Sequence, residues 1–184
     1  MIALYGGAFD PPHVGHVEVA RAAKAQFAPE RLVVLVTEQP GHKDVHLDAQ
    51  DRLDLARAAF PDDEVRLDPH PRTIELLRAE RFDDPLFVIG ADQFARFLSW
   101  QEPDEVLELA QLAVATRPGF ERDQLDPVLR ELHRPDRVVF FEPEPNPAAS
   151  TDVRALAAAG KPLDGLVPAA VEALIEERGL YGAD

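Results

Sequence analysis

Two runs without a polar residue, Leu32–Val36 (LVVLV) and Leu86–Ile89 (LFVI), constrain the fold most. Each has the length of a strand, and neither offers a polar side to water. A strand apolar on both sides has to be covered on both faces, which is the situation of a parallel strand inside an α/β sheet. The rest of the chain repeats the pattern. Ile2–Tyr5, Glu64–Leu67, Leu112–Thr116 and Arg137–Phe141 read as further strands. Between them, Val14–Phe27 carries Val14, Val17, Ala20, Ala23 and Phe27 along a helical period. Asp48 suits the N-cap of a helix with Asp51 in its first turn and an apolar side of Leu53, Leu55, Ala56 and Ala59. Thr73–Arg81, Phe94–Leu98 and Asp104–Leu109 read as helical, and Glu142–Ala149 as a proline-broken loop. A helix over Thr151–Ala159 ends at Gly160. A last one opens with Pro168 at its first position and stops at Gly179. This succession predicts an α/β fold with a doubly wound, mostly parallel sheet and helices on both faces. No repeat or linker divides the chain, so a single domain over 1–184 is expected.

Charge and composition exclude several classes. A formal charge of −15 disfavours bulk binding to nucleic acid or anionic membrane, both of which reward basic surfaces. A small anionic ligand then needs a few well-placed cations and backbone amides. Without cysteine there is no disulfide framework, thiolate nucleophile or cysteine-bound zinc. No run approaches the roughly 18 to 20 apolar residues that span a bilayer, and the apolar start Met1–Tyr5 is too short for a signal peptide. A cytoplasmic protein is expected.

In a doubly wound sheet, ligands gather at the carboxyl ends of the strands. The first such end leads into Gly6-Gly7-Ala8-Phe9-Asp10-Pro11-Pro12-His13-Val14-Gly15-His16. Two glycines let backbone amides approach a ligand closely, and the following helix N-terminus supplies unpaired N–H groups suited to phosphate. His13 and His16 lie three apart, so both can face one ligand. The same residues also suit a plain turn with capping or packing histidines. A His-x-x-His metal site lacks an evident third ligand.

GGAFDPPHVGH resembles the signature of the adenylyltransferases that make dinucleotide cofactors, in the HxGH nucleotidylyltransferase superfamily, with His13-Val14-Gly15-His16 as the four-residue motif. The resemblance implies a Rossmann-like nucleotidylyltransferase fold in which Gly6, Gly7, Ala8, Phe9 and Asp10 cradle ATP while His13 and His16 engage its phosphates. Ala8 stands where the family more often has Thr or Ser. Ala149-Ser150-Thr151-Asp152-Val153-Arg154 resembles the second signature, Ile-Ser-Ser-Thr-x-x-Arg, with Ala149 replacing the first Ser. Ser150, Thr151 and Arg154 would then hold the β- and γ-phosphates, and the C-terminal helices from about 151 would complete the ATP site. Ser150 also suits a plain N-cap. Arg154 opposes the helix dipole unless an anion docks there.

Ile89-Gly90-Ala91-Asp92-Gln93 through Phe97-Leu98-Ser99-Trp100 resembles the nicotinate-specific branch. There Gly90 and Asp92 lie against the nucleotide and Trp100 against the pyridine ring; the residue types alone allow Asp92 to be a helix cap and Trp100 a core residue. Pro40-Gly41-His42-Lys43 resembles a family loop whose lysine, here Lys43, offsets charge between the reacting phosphates. Arg52 and Arg117 also match family arginines, although surface exposure explains Arg52 equally well. At Pro69-His70-Pro71-Arg72-Thr73 the branch usually has a Ser-Tyr-Thr segment that receives the pyridine carboxylate. Thr73 matches, and Arg72 offers a direct partner for the carboxylate.

Together these matches imply adenylyl transfer from ATP, with Mg²⁺, to nicotinate mononucleotide. His13, His16, Lys43 and Arg154 would stabilise charge, and Asp10 would hold the first loop. The partners expected are ATP and a pyridine mononucleotide, with no nucleic acid or membrane and with room for a homo-oligomer. Alternative acceptors are nicotinamide mononucleotide or phosphopantetheine. A nucleotide-binding regulator without turnover is a reading of a different class, and it would tolerate loss of the histidines.

Overall fold

The computed structural model describes residues 1–41, 45–116 and 122–182. Six strands, β1 (Ile2–Gly7), β2 (Arg31–Thr37), β3 (Glu64–Asp68), β4 (Leu86–Gly90), β5 (Gln111–Ala115) and β6 (Val138–Phe141), form one sheet in the order β3-β2-β1-β4-β5-β6. The pairings β1–β4, β4–β5 and β5–β6 are parallel. Strand order reverses between β1 and β4, which makes their carboxyl ends the switch point at which such sheets bind ligands. The two all-apolar runs occupy β2 and β4, both interior strands, and their apolar residues are buried. The strands at the sheet's edges, β3 and β6, have only partly buried middles, as strands covered less completely should.

Eight α-helices are described: α1 (Val14–Phe27), α2 (Ala49–Ala59), α3 (Thr73–Glu80), α4 (Ala91–Phe94), α5 (Pro103–Leu109), α6 (Arg122–Glu131), α7 (Ser150–Ala158) and α8 (Ala169–Arg178). Asp48 caps α2 as its sequence suggests, accepting the Asp51 N–H at 2.9 Å. Other boundaries differ. The Phe94–Leu98 segment is the one-turn α4 followed by a 3-10 turn over Phe97–Ser99, and Gly90 rather than Asp92 is the N-cap of α4. Ala149, not Ser150, is the N-cap of α7, while Pro168 stands at the N-cap of α8 instead of its first helical position. The helix α6 was not legible because Pro127 lies inside it. Its apolar side is nevertheless regular, with Leu125, Val128 and Leu132 buried at helical spacing. No helix among the described residues is long and apolar enough to cross a membrane.

The chain forms two compact units. One comprises Met1–Gly6, Val19–Val33 and Arg72–Pro145; the other comprises Gly7–Glu18, Val34–Pro71 and Asn146–Asp184. The core of the first is built on Leu86–Ile89 and Leu112–Ala115, with Phe94, Phe97, Val106 and Leu107 buried around them. In the second, α2 lies against α8, and Leu53, Leu55, Ala56, Val171 and Ile175 are buried. Arg178 at the end of α8 donates to Asp51 and Asp54 of α2, each at 2.9 Å.

Candidate active site

The second unit contains the loop that follows β1, and each of its odd residues has a physical reason. Phe9 is buried with φ 50, a left-handed conformation that costs a non-glycine residue roughly 1–2 kcal/mol. Its ring fills the space over Gly7, where an added Cβ would meet ring carbons at 2.9–3.2 Å. It also meets His16 edge-on at 5.2 Å and Phe60 at 5.8 Å. A glycine is required at position 7 so that this ring can anchor the loop.

Side chains from elsewhere in the unit grip the loop's backbone. Arg52 Nη1 donates to the Ala8 carbonyl at 2.9 Å, Arg154 Nη1 to the Asp10 carbonyl at 2.7 Å, and Ser150 Oγ to the Pro11 carbonyl at 2.9 Å. Of the two readings of Arg52, surface exposure is therefore excluded. The residue is 1 % exposed and also donates to the carbonyls of Thr37, Glu38 and Leu47. Burial lowers its pKa, with the nearby Asp10 charge opposing. Four carbonyl partners satisfy a guanidinium fork that lacks a direct carboxylate. Arg154 likewise has a structural explanation that its sequence position did not suggest: it reaches back across the start of α7 to the loop, with Thr151 Oγ1 at 3.4 Å from Nη2. Five donors on a guanidinium leave capacity for an anion beside these contacts.

The two histidines lie ring against ring, with centroids 3.8 Å apart and planes tilted by 36°. His16 Nδ1 accepts the His13 backbone N–H at 3.2 Å, so the ring proton of neutral His16 sits on Nε2. His13 Nδ1 is buried without a hydrogen-bond partner. A buried N–H without a partner is rarer than a buried lone pair without one, so His13 is also assigned as the Nε2–H tautomer. Burial lowers the His13 pKa from 6.5 to about 4, which keeps the ring neutral at neutral pH. Gly15 makes the stacking possible, since a Cβ there would meet His13 Cε1 and Nδ1 at 3.0 Å. The motif thus presents two neutral Nε2–H donors at the start of α1. They are suited to phosphate oxygens and to charge that develops on them.

Asp10 holds the loop from its other side. Its carboxylate is 4 % exposed; Oδ2 accepts the His46 N–H at 2.7 Å and Oδ1 the Tyr181 hydroxyl at 2.8 Å. Sequence reasoning gave neither His46 nor Tyr181 a role. The signal in the sequence was the closing Gly179-Leu180-Tyr181, which resembles the end of the family's C-terminal helix and places an aromatic residue two positions past the glycine that stops α8.

The first unit holds Gly6, Arg72, Thr73, Gly90, Asp92 and Trp100. A Cβ on Gly90 would stand 2.6 Å from Asp92 Oδ1, so the glycine lets this exposed carboxylate fold back over the end of β4. The Asp92 charge adds to burial in raising the pKa of Tyr5, which stays a neutral phenol. Trp100 is partly exposed and packs edge-on against Phe97 at 5.2 Å. Thr73 is the first residue of α3, and Arg72, 58 % exposed, directs Nη1 to Glu75 at 3.3 Å. Lys43 and Arg117, with His42, lie outside the described residues. Among the described residues no three His, Asp or Glu side chains group closely enough to hold a metal ion.

Comparison with known proteins identifies the family. The cytidylyltransferase-like family matches residues 4–156. A protein of Rubrobacter xylanophilus named "probable nicotinate-nucleotide adenylyltransferase" is 34% identical, the match covering 100% of this chain and 92% of the relative. A protein of the same name from Thermus thermophilus is 33% identical, with 98% of each chain covered. Among solved structures, the nicotinic acid mononucleotide adenylyltransferase of Plasmodium falciparum, complexed with NaAD, superposes with a TM-score of 0.80. Its 15% identity spans 98% of this chain and 96% of that one, a likeness of fold. By sequence, the chain belongs to the cytidylyltransferase-like family and, within it, to the nicotinate-nucleotide adenylyltransferases.

Proposed function

We propose that this protein transfers the adenylyl group of ATP to nicotinate mononucleotide, forming nicotinate adenine dinucleotide and pyrophosphate. The observation that carries the reading is the pair of neutral histidines, both with the proton on Nε2, on a loop whose backbone is gripped by Arg52, Arg154 and Ser150. A 5′-phosphate oxygen of the mononucleotide attacks the α-phosphorus of ATP, and the bond from that phosphorus to the bridging oxygen of pyrophosphate breaks. The attacker is already an anion, so no side chain has to become a nucleophile. Catalysis then consists of positioning and charge stabilisation. His16 and His13 donate to the transferring and leaving phosphates. Arg154, Ser150 and Thr151 hold the departing pyrophosphate, and Lys43 offsets the repulsion between two anions. The backbone of Gly6, Gly7 and Ala8 offers its amides to the nucleotide, and Asp92 accepts from a ribose hydroxyl.

Members of this family use a divalent metal with ATP, and we assign Mg²⁺. The metal enters with the phosphates as part of the substrate. For the acceptor, Trp100 stacks on the pyridine ring, and Thr73 with Arg72 receives the carboxylate. Arg72 exchanges its exposed pairing with Glu75 for the substrate's carboxylate at little cost, since such surface pairs are worth up to about 1 kcal/mol. The reading also holds that the protein works as a single catalytic domain in the cytoplasm.

The test is pyrophosphate release from ATP and Mg²⁺ with nicotinate mononucleotide, run beside the nicotinamide form. Preference for the acid is expected. Preference for the amide would overturn the account of Thr73, Arg72 and Trp100 but leave the phosphate chemistry standing. No release with either would overturn the reading as a whole.

A further inference from the structure

Asp10 is the point where three segments of the second unit meet. Its two carboxylate oxygens take the Tyr181 hydroxyl and the His46 N–H, and its carbonyl takes Arg154. The proposed chemistry uses Arg154 and leaves His46 and Tyr181 without a purpose, and of those two Tyr181 brings a side-chain hydrogen bond to the carboxylate. It lies 171 residues from Asp10 along the chain, past the end of α8. A tyrosine in a C-terminal stretch is ordinarily free to turn to solvent. Here the chain is steered. Gly179 takes a left-handed conformation with φ 63, and the Leu180 N–H returns to the Ile175 carbonyl at 3.0 Å, closing the helix. Tyr181 then has φ 62, an uncommon conformation for a residue with a side chain, which persists only where the surroundings hold it. Arg178 ties the same helix end to α2 through Asp51 and Asp54. Burial and the Asp10 charge raise the pKa of the phenol, so it remains a donor at any pH where the protein works.

We propose that Tyr181 is a positioning residue for adenylyl transfer: its hydroxyl fixes the rotation of the Asp10 carboxylate, and through Asp10 the loop that carries His13 and leads into the first turn of α1, where His16 stands. The proposal rests on the functional reading above. Removing the hydroxyl leaves Oδ1 of a buried carboxylate short of a partner. Asp10 is then free to rotate, and both its His46 bond and the direction of its carbonyl change. The groups that touch phosphate stay in place chemically but lose their alignment. A hydrogen bond that served only to secure the C-terminus would act on stability alone.

The experiment compares Tyr181→Phe and Arg178→Ala with the unaltered protein. Tyr181→Phe keeps the ring and removes one oxygen; Arg178→Ala loosens the helix end without touching the hydroxyl. We expect Tyr181→Phe to lower kcat about tenfold, the scale of a sub-ångström misalignment, with KM for ATP changed less than twofold. Arg178→Ala should lower Tm and leave kcat within twofold of normal. In nitrogen–proton spectra, the His46 amide should shift and exchange faster in Tyr181→Phe and stay in place in Arg178→Ala. Normal kcat in folded Tyr181→Phe, or an equal loss of kcat in Arg178→Ala, would overturn the proposal. If the unaltered protein releases no pyrophosphate with either mononucleotide, the functional reading has failed instead. The His46 amide then still decides whether Tyr181 sets Asp10, and an unchanged signal would overturn that too.

Discussion

Gly15→Ala separates stability from catalysis within one methyl group. Gly15 is the second residue of α1, and a glycine inside a helix costs roughly 0.5–1 kcal/mol relative to alanine. On propensity alone the substitution should stabilise the protein. The methyl, however, would lie 3.0 Å from His13 Cε1 and Nδ1, so the ring has to give by a few tenths of an ångström. Nothing else crowds it, since the next nearest atom, the Ala148 carbonyl oxygen, is at ordinary contact distance of 3.8 Å. The helix gain and the cost of moving one ring are of similar size, so Tm should change by less than roughly 3 °C either way. The ring cannot recede without disturbing His16, because the two centroids are only 3.8 Å apart. Misplacing a catalytic group by about 1 Å can cost 10²-fold, and a shift of half that size roughly tenfold. We therefore expect kcat to fall about ten- to a hundredfold while Tm barely moves, read by pyrophosphate release and differential scanning calorimetry on the same preparation. A Gly15→Ala protein with kcat within twofold of normal would refute the assignment of the His13 ring to phosphate.

His13→Asn should change the acid sensitivity of folding. Because burial lowers the His13 pKa to about 4 from 6.5, the unfolded chain takes up this proton first. The contribution to stability is complete above about pH 6.5, is lost as pH falls toward 4, and levels off below, amounting to at most about 3 kcal/mol. Urea unfolding at pH 7 and pH 5 should show a smaller loss in the Asn variant; an identical loss in both would rule out a buried neutral His13. His16→Ala should lower kcat by about 10² or more with Tm preserved, as expected for a lost transition-state donor, and near-normal turnover would remove His16 from the mechanism. Arg52→Met leaves four partly buried carbonyls without their donor. It should cost roughly 3 kcal/mol or more and lower Tm by about 10 °C; a loss below 2 °C would mean that water replaces the guanidinium.

How much was legible in the sequence depended on whether a residue's role is set by its neighbours along the chain or by partners far away. LVVLV and LFVI announced interior strands because apolarity on both faces has one structural outcome. Asp48 announced α2 because a cap is made within three residues. The histidine motif was legible for the same reason: Gly15 and the His13–His16 contact lie within one helical turn. Ser150 suits a cap by residue type, yet its hydroxyl goes to Pro11, 139 residues earlier, while Ala149 takes the cap. Arg52 matched a family arginine but suited the surface equally well, because nothing local shows four carbonyls converging on it from the loop after β1, the end of β2 and the β2–α2 connection. Arg154 read as opposed to its helix dipole until Asp10 supplied an acceptor. These long-range contacts share a target, the backbone of the loop after β1, and the local pattern could show only that the loop exists. A loop that follows two glycines and carries a left-handed Phe9 has little secondary structure of its own to hold it. Its order has to come from side chains distant in sequence, so alanine at any one of Arg52, Ser150 or Arg154 should loosen the whole loop instead of a single contact. Hydrogen exchange across residues 7–13 would then rise together in each variant, and a rise confined to the residue that lost its partner would show three independent bonds instead of one clamp.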